Sequence, residues 1–350
     1  MKPINVMHIL CTGEYSGAES VAITIINSLK GKADSVYVSP SGIICDILAE
    51  NGIPHYSVDK VSVVNIKKAI KDISPDIIHA HDHTAGTVCA LAAGNIPVIN
   101  HLHNNSLWTK KINIRSLIFG LSCLRFKKIL TVSDSVMNDY ILGRMFSKKS
   151  AVVGNPFDYC KVFDSAQTAE IKEYSDILFL GRLMEPKNPL MFIDIIFELK
   201  KTFKDIKGAI VGEGIMRPQV EKAIMEKGLE NNIKMYGFLK NPYGMIKNAK
   251  VVCVPSVWEG FGYAALEGLA LGKPVVAKNV GGLPNIVNNE CGMICEKPAE
   301  FVNSLTALLK DDNLWKEKSK NAVVTAKKFD DIENYSKNIL NSYIEVLNKN

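Results

Sequence analysis

Several familiar signals are missing from this sequence. Eight cysteines are scattered through it without a single C-x-x-C pair, so neither a redox dithiol nor a zinc knuckle is expected. Several of them lie inside apolar runs, which reads as reduced core cysteines of a cytoplasmic protein. There is no D-x-D to hold a divalent ion, no Walker A spacing and no G-x-G-x-x-G, so the usual nucleotide fingerprints are unsupported. No uncharged run approaches the ~20 apolar residues of a membrane span. The start, MKPINVMHIL, is too soon interrupted to read as a signal peptide. Acidic residues are scarce in one place. Between positions 104 and 149 stand nine Lys and Arg against only Asp134 and Asp139. That local excess is larger than the net +6 of the whole chain.

What is present is alternation. Strand-like apolar runs at Ile4–Leu10, Ser35–Val38, Ile53–Val58, Asp76–Ala80 and Pro97–Leu102 are separated by amphipathic stretches. This spacing predicts a doubly wound parallel sheet with right-handed crossovers. A second series begins at Asp176–Leu180 and continues through Ala209–Val211, Ile233–Tyr236, Val251–Pro255 and Pro274–Ala277. At 350 residues two domains are expected: 1–163, a polar linker over 164–175, then 176–330. A final helix, 331–350, is expected to cross back to the first domain.

The most informative stretch is 251–287. A buried strand ends in Ser256-Val257-Trp258-Glu259-Gly260-Phe261-Gly262, and a helix from about Tyr263 follows, closed by Gly272. Ligands of open α/β sheets sit at such strand ends, beside helix N-termini. Glu259 is placed to accept hydrogen bonds from hydroxyl groups. Glu267, about two turns on, falls on nearly the same face and reaches a second hydroxyl pair. As lone glutamates they would read as a capping acid and a solvated helix residue. Earlier, Arg182 and Lys187 leave the end of the strand Asp176–Leu180 and approach a helix starting near Pro189. A guanidinium and an ammonium there suit a diphosphate.

Together, Glu259-Gly260-Phe261-Gly262 with Glu267, then Gly272-Lys273-Pro274-Val275-Val276 and Gly281-Gly282, resemble the signature of the retaining glycosyltransferases of family 4. The resemblance covers the C-terminal half and, more weakly, the N-terminal half. It implies the GT-B fold: two Rossmann-like, doubly wound parallel-sheet domains facing across a cleft. It also implies transfer of a sugar from a nucleotide donor, UDP-linked, to a glycan or undecaprenyl-linked acceptor in surface-polysaccharide assembly. Arg182, Lys187, Glu259 and His103 would be the catalytic group. Gly260, Phe261, Gly262, Glu267, Gly212 and Gly214 would bind the donor. Gly13 and Gly17, in the turn after the first strand, would meet the acceptor or a phosphate, with Ser16 where the family has its first glycine. Asn285 stands where the family usually has glutamate.

No cofactor or metal is expected. His79, His81, His83, His101 and His103 gather at strand ends, but without converging carboxylates a metal reading is not favoured. His103 sits just past a strand end, where the family's histidine meets the donor sugar; a satisfied core histidine is the competing reading. His101 is expected to face the opposite side. Residues 105–128, with bases interleaved among Trp108, Ile112, Leu117 and Leu121, read as a basic amphipathic helix. It could contact an anionic membrane or be a core helix with a solvated face. No nucleic-acid motif accompanies it. Three other readings stay open: an epimerase acting on a UDP-N-acetylhexosamine, a phosphorylase, and a glycan-binding scaffold. The first would need no acceptor, and the scaffold should have lost Arg182, Lys187 or Glu267.

Overall fold

The computed structural model describes residues 3–170 and 173–348. The chain divides into two compact units. One comprises the residues up to Pro156 together with those from Asp331 onward; the other runs from Phe157 to Asp330.

The first unit holds a seven-stranded sheet in the order β3-β2-β1-β4-β5-β6-β7. Its strands are β1 (Ile4–Ile9), β2 (Ala33–Ser39), β3 (His55–Ser57), β4 (Ile77–His81), β5 (Val98–Leu102), β6 (Lys128–Thr131) and β7 (Ser150–Val152). All the pairings are parallel. The central strands read as apolar runs because helices cover both faces of such a sheet. Val6, Met7, Ile9, Ile77, Ile78 and Ile99 are accordingly buried. The terminal helix Ile332–Asn348 belongs to this unit. Its Tyr343 is fully buried and shares a 2.7 Å hydrogen bond with His79 Nδ1.

The second unit holds six parallel strands in the order β10-β9-β8-β11-β12-β13. These are β8 (Ser175–Leu180), β9 (Gly208–Val211), β10 (Ile233–Met235), β11 (Ala249–Val254), β12 (Val275–Lys278) and β13 (Gly292–Cys295). In each sheet the strand order reverses beside the first strand, at β1/β4 and at β8/β11. At such switch points the loops leaving the carboxyl ends diverge and open a crevice.

Two expectations need correction. Residues 164–175 are not a linker. A helix, Tyr159–Thr168, occupies its start, capped by Asp158 and anchored by buried Val162 and Ala166; β8 takes its end, and residues 171 and 172 lie outside the described residues. Asp164, Gln167 and Thr168, part of the polar composition that suggested a linker, are exposed on that helix. Nor is 105–128 one helix. A short 3-10 turn, Leu107–Lys110, precedes the helix Ile114–Arg125. Asn113 and Ser116 close a reciprocal capping box at its start, which fixes where the helix begins.

Candidate functional site

In the second unit, the loops leaving β8 and β11 are tied to each other. Val257 N donates to Pro186 O at 2.8 Å, and Asn188 Nδ2 donates to Pro255 O at 3.3 Å. Asn188 takes a left-handed conformation, φ 53°, which Asn tolerates better than most residues. The result is that Lys187 Nζ donates to Glu259 Oε2 at 2.5 Å. Ser256 Oγ also approaches that carboxylate, at 3.4 Å. The pair is mostly shielded, with 24% of the Lys187 side chain and 13% of Glu259 exposed. An expected cation for a diphosphate and an expected acceptor of hydroxyls are thus in one place. Arg182 is exposed at the same strand end.

Glu267 sits on the helix Tyr263–Ala270 and accepts a hydrogen bond from the Tyr243 hydroxyl at 3.2 Å. Burial pushes its carboxyl up to about 7, against the opposing pull of that hydroxyl and of Lys187. A carboxyl poised there changes its charge near neutrality. Tyr243, which no sequence signal marked, is therefore a neighbour that tunes Glu267.

The glycines have physical explanations of their own. A Cβ on Gly281 would lie 1.6 Å from the Glu259 carbonyl oxygen, and one on Gly282 would lie 2.6 Å from that of Phe261. The 281–282 turn is thus packed backbone to backbone beneath the 259–261 loop and fixes its height. Gly262 has φ 115°, which an L side chain rarely adopts. Gly212 and Gly214 are required where the β8 and β9 exits cross: their Cβ atoms would lie 2.0 Å from Gly181 O and 2.3 Å from Leu183 O. Phe261 points its ring into the protein, against Tyr263 and Phe329, so only its backbone faces the loop. Gly260 is buried, and Asn285 is exposed on a short helical turn.

In the first unit, Gly13 is also a packing residue; its Cβ would lie 2.3 Å from Ser41 O. Gly17 opens the helix Gly17–Ser28. Ser16 has φ −146° and so does not need to be glycine; its hydroxyl donates to Glu19, as does that of Thr12 at 3.1 Å. Glu19 is buried and lines a cavity of about 220 Å³ together with Thr12, His81, Asp82, Asn104 and Trp108. A carboxylate pair, hydroxyl and amide groups and an indole suit a polyhydroxylated ligand. The signal for Glu19 lay in the turn already singled out, whereas Asp82 gave none.

His101 does not face away from His103. Side chains two apart on a strand share a face, and the register pairs His8 with His79 and His81 with His101. His8, His79, His81, His101 and His103 therefore line one face of the sheet, with ring centroids of adjacent pairs 4.2–5.8 Å apart. Burial lowers all five: His8 to about 3, His103 to about 4, and the other three well below the usual range. They are neutral imidazoles.

The helix Ile114–Arg125 buries Ser116, Phe119, Gly120 and Cys123. It exposes Ile114, Leu117, Ile118, Leu121 and Leu124, with Ile112 just before it. The bases nearby divide. Lys149 donates to the Cys123 and Phe126 carbonyls, Arg125 to that of Gly94, and Lys128 pairs with Glu345. Lys111, Arg115 and Lys127 are exposed. Among the described residues no helix is long and apolar enough to cross a membrane.

Comparison with known proteins bears on the family and the fold. Residues 17–159 match the model for "Glycosyltransferase Family 4" and residues 161–329 that for "Glycosyl transferases group 1". A relative from Campylobacter jejuni is the N-acetylgalactosamine-N,N'-diacetylbacillosaminyl-diphospho-undecaprenol 4-alpha-N-acetylgalactosaminyltransferase. It is 30% identical over 67% of this chain and 66% of its own length. The capsular polysaccharide biosynthesis glycosyltransferase CapH of Staphylococcus aureus is 26% identical over 79% of this chain and 82% of its own. Among solved structures, Anabaena HepE in complex with UDP-glucose superposes with a TM-score of 0.86, at 19% identity, over 98% of this chain and 100% of that one. The GT-B structure of WaaG superposes with a TM-score of 0.75 at 13% identity, over 97% and 99%. The fold is GT-B, and the chain belongs to the glycosyltransferases, with a family 4 N-terminal part and a group 1 C-terminal part.

Proposed function

We propose that the protein transfers a sugar, with retention of configuration and without a metal, from a UDP-linked donor to a lipid-linked glycan. The observation that carries the donor half is the grouping of Lys187, Glu259 and Glu267 at the β8 and β11 ends. In this reading Arg182 and Lys187 neutralise the diphosphate as charge builds on it, where one preorganised donor contributes about 3–4 kcal/mol. Glu259 orients sugar hydroxyls, the 260–262 amides contact the sugar, and Glu267 takes the ribose hydroxyls. His103 is assigned to the transferred sugar. With the leaving diphosphate neutralised by fixed cations, front-face displacement assisted by a phosphate oxygen needs no further catalytic carboxylate. UDP as the donor base is supported by the UDP-glucose complex of HepE, which shares this fold.

The acceptor half rests on the helix Ile114–Arg125. An exposed row of Ile and Leu beside Lys111, Arg115 and Lys127 suits the interface of an anionic bilayer, with apolar side chains in the acyl boundary and cations at the headgroups. Undecaprenol-linked acceptors appear in the name of the Campylobacter relative. The test is UDP release from UDP-, GDP- and ADP-sugars, with and without EDTA, alongside Arg182→Ala. Release of UDP from one donor, unchanged by EDTA and lost in the variant, supports the reading. Release from none of them, with no nucleotide binding by calorimetry, overturns it.

A further inference from the structure

The five clustered histidines include three that are joined end to end. His8 Nδ1 lies 3.2 Å from His81 Nε2, and His81 Nδ1 lies 2.9 Å from His103 Nε2. The rings of His81 and His103 are inclined by only 11° with centroids 5.1 Å apart, and those of His8 and His81 by 25° at 5.5 Å. In both cases the centroid separation exceeds the nitrogen separation by roughly two ring radii, so the rings lie edge to edge, each bond in line. Each of these bonds uses one ring lone pair, whereas both nitrogens of His101 are buried without a partner. His8, His79 and His81, and likewise His81, His101 and His103, lie close enough together to share an ion. His79 and His101 stack beside the chain, at 4.5 Å from His81 and 4.2 Å from His103. Tyr343 of the terminal helix holds His79.

A neutral imidazole has one N–H and one bare nitrogen. Burial keeps these rings neutral, so the two bonds must run in the same sense. Either the protons point from His8 toward His103, leaving the His103 proton on Nδ1, or they point back and leave that nitrogen bare. His8 Nε2 and His103 Nδ1, the two ends, are both buried without a partner in the structure. The tautomer of His103 is therefore coupled to that of a residue two strands away.

The residue after β4, which opens the helix Asp82–Ala92, holds the other half of His103. Asp82 accepts from the His103 backbone N–H at 3.1 Å and from Asn104 Nδ2 at 3.3 Å. It does so from a left-handed conformation, φ 67°, a strain that persists only where surrounding contacts over-determine it. His81 and Asp82 also line the cavity described above.

We propose that His81 and Asp82 are positioning residues for His103: His81, backed by His8, fixes the ring plane and tautomer, and Asp82 fixes the main chain. This rests on the reading that His103 serves the transferred sugar. The chemistry asks nothing else of the chain, since no proton leaves it.

The experiment uses full-length protein with 15N-labelled histidine, and UDP release from the donor identified by the screen above. In the wild type, His103 should show one dominant tautomer, with through-bond nitrogen couplings joining His8 to His81 and His81 to His103. His81→Asn should lower kcat by about ten- to a hundredfold, the scale of a misplaced reacting group, with donor KM within about twofold. The His103 ring should then sample both tautomers. Asp82→Asn, which keeps the left-handed turn accessible, should lower kcat less and leave the tautomer alone. It serves as the second variant if His81→Asn does not fold. Full kcat in His81→Asn and Asp82→Asn, where His103→Ala loses it, overturns the proposal. So does an unchanged His103 tautomer without His81. If His103→Ala itself keeps full kcat, the assignment of His103 to the sugar fails, and the positioning proposal fails with it.

Discussion

The carboxyl ends of the two sheets are built in opposite ways. In the first unit they carry neutral imidazoles in two adjacent rows, one held by in-line bonds and ended by one strained aspartate. In the second they carry charges, Lys187 against Glu259 with Glu267 close by, on loops whose height is set by backbone contacts at Gly281 and Gly282. A neutral array of contacting rings resists movement but depends on staying uncharged. On the proposed reading, a charged array on glycine-cradled loops exchanges its internal ion pair for the donor's diphosphate. One end is therefore suited to holding a ring in place and the other to taking up and releasing an anion.

Removing charge from the second unit should have the largest effect. Lys187→Ala is expected to lower the rate of UDP release by about a hundred- to a thousandfold, the loss seen when one preorganised donor is removed, while His83→Phe, in the first unit, lowers it far less. Steady-state kinetics checks the pair, and comparable losses would erase the contrast. Second in size is the membrane contact. Leu121→Glu with Leu124→Glu places two charges on the exposed apolar face and should cut co-sedimentation with phosphatidylglycerol vesicles more than tenfold. UDP release in free solution should be untouched. Unchanged sedimentation would remove that face from the acceptor half of the reading.

Acid should separate the units by stability. His8, His83 and His103 have folded values near 3, 4 and 4 against 6.5 for the free side chain. Below 6.5 the unfolded chain binds the extra protons, so stability is fully present above that pH and falls toward the folded values. The slope is about 1.4 kcal/mol per pH unit for each such histidine. All seven histidines of the sequence lie in the first unit. Calorimetry from pH 7 to 4.5 should show its transition moving down well ahead of the second. Parallel movement of both would mean that the imidazole cluster does not govern acid sensitivity.

How much of this was legible in the sequence depended on range. Both sheets were, because strand periodicity and the glycine, proline and capping residues at helix ends are local. So was the candidate site in the second unit, since Glu259, Glu267 and the intervening glycines fall within one strand–loop–helix stretch. Lys187 was legible as a cation beside a strand end, but its ion pair with Glu259, 72 positions on, was not, because no local pattern joins the two. The chain His8–His81–His103 and the clamp at Asp82 depend on sheet register, which no local pattern reveals. Tyr243 above Glu267 joins two helices for the same reason. The linker was misread because polar composition alone does not distinguish a loop from the outer face of a helix such as Tyr159–Thr168.

The smallest predicted effect tests the charged end most directly. Glu267 has its carboxyl raised by burial to about 7, so near neutrality it is divided between its acid and its carboxylate. Only the carboxylate accepts two ribose hydroxyls. Raising the pH from 6 to 8 should therefore lower the KM for the UDP-sugar by a few fold as the carboxylate fills. Glu267→Gln, which keeps the shape but cannot ionise, should show a flat KM near the acid-side value. Tyr243→Phe removes a hydrogen bond that favours the ionised form, so its midpoint should move to higher pH. Stability must move in the opposite sense for this one group: its folded value lies above that of the free carboxyl, so ionising it between about 4.5 and 7 weakens the second unit while sharpening its hold on the donor. A KM profile in the wild type as flat as in Glu267→Gln would detach Glu267 from the ribose and leave its raised carboxyl as a feature of the core.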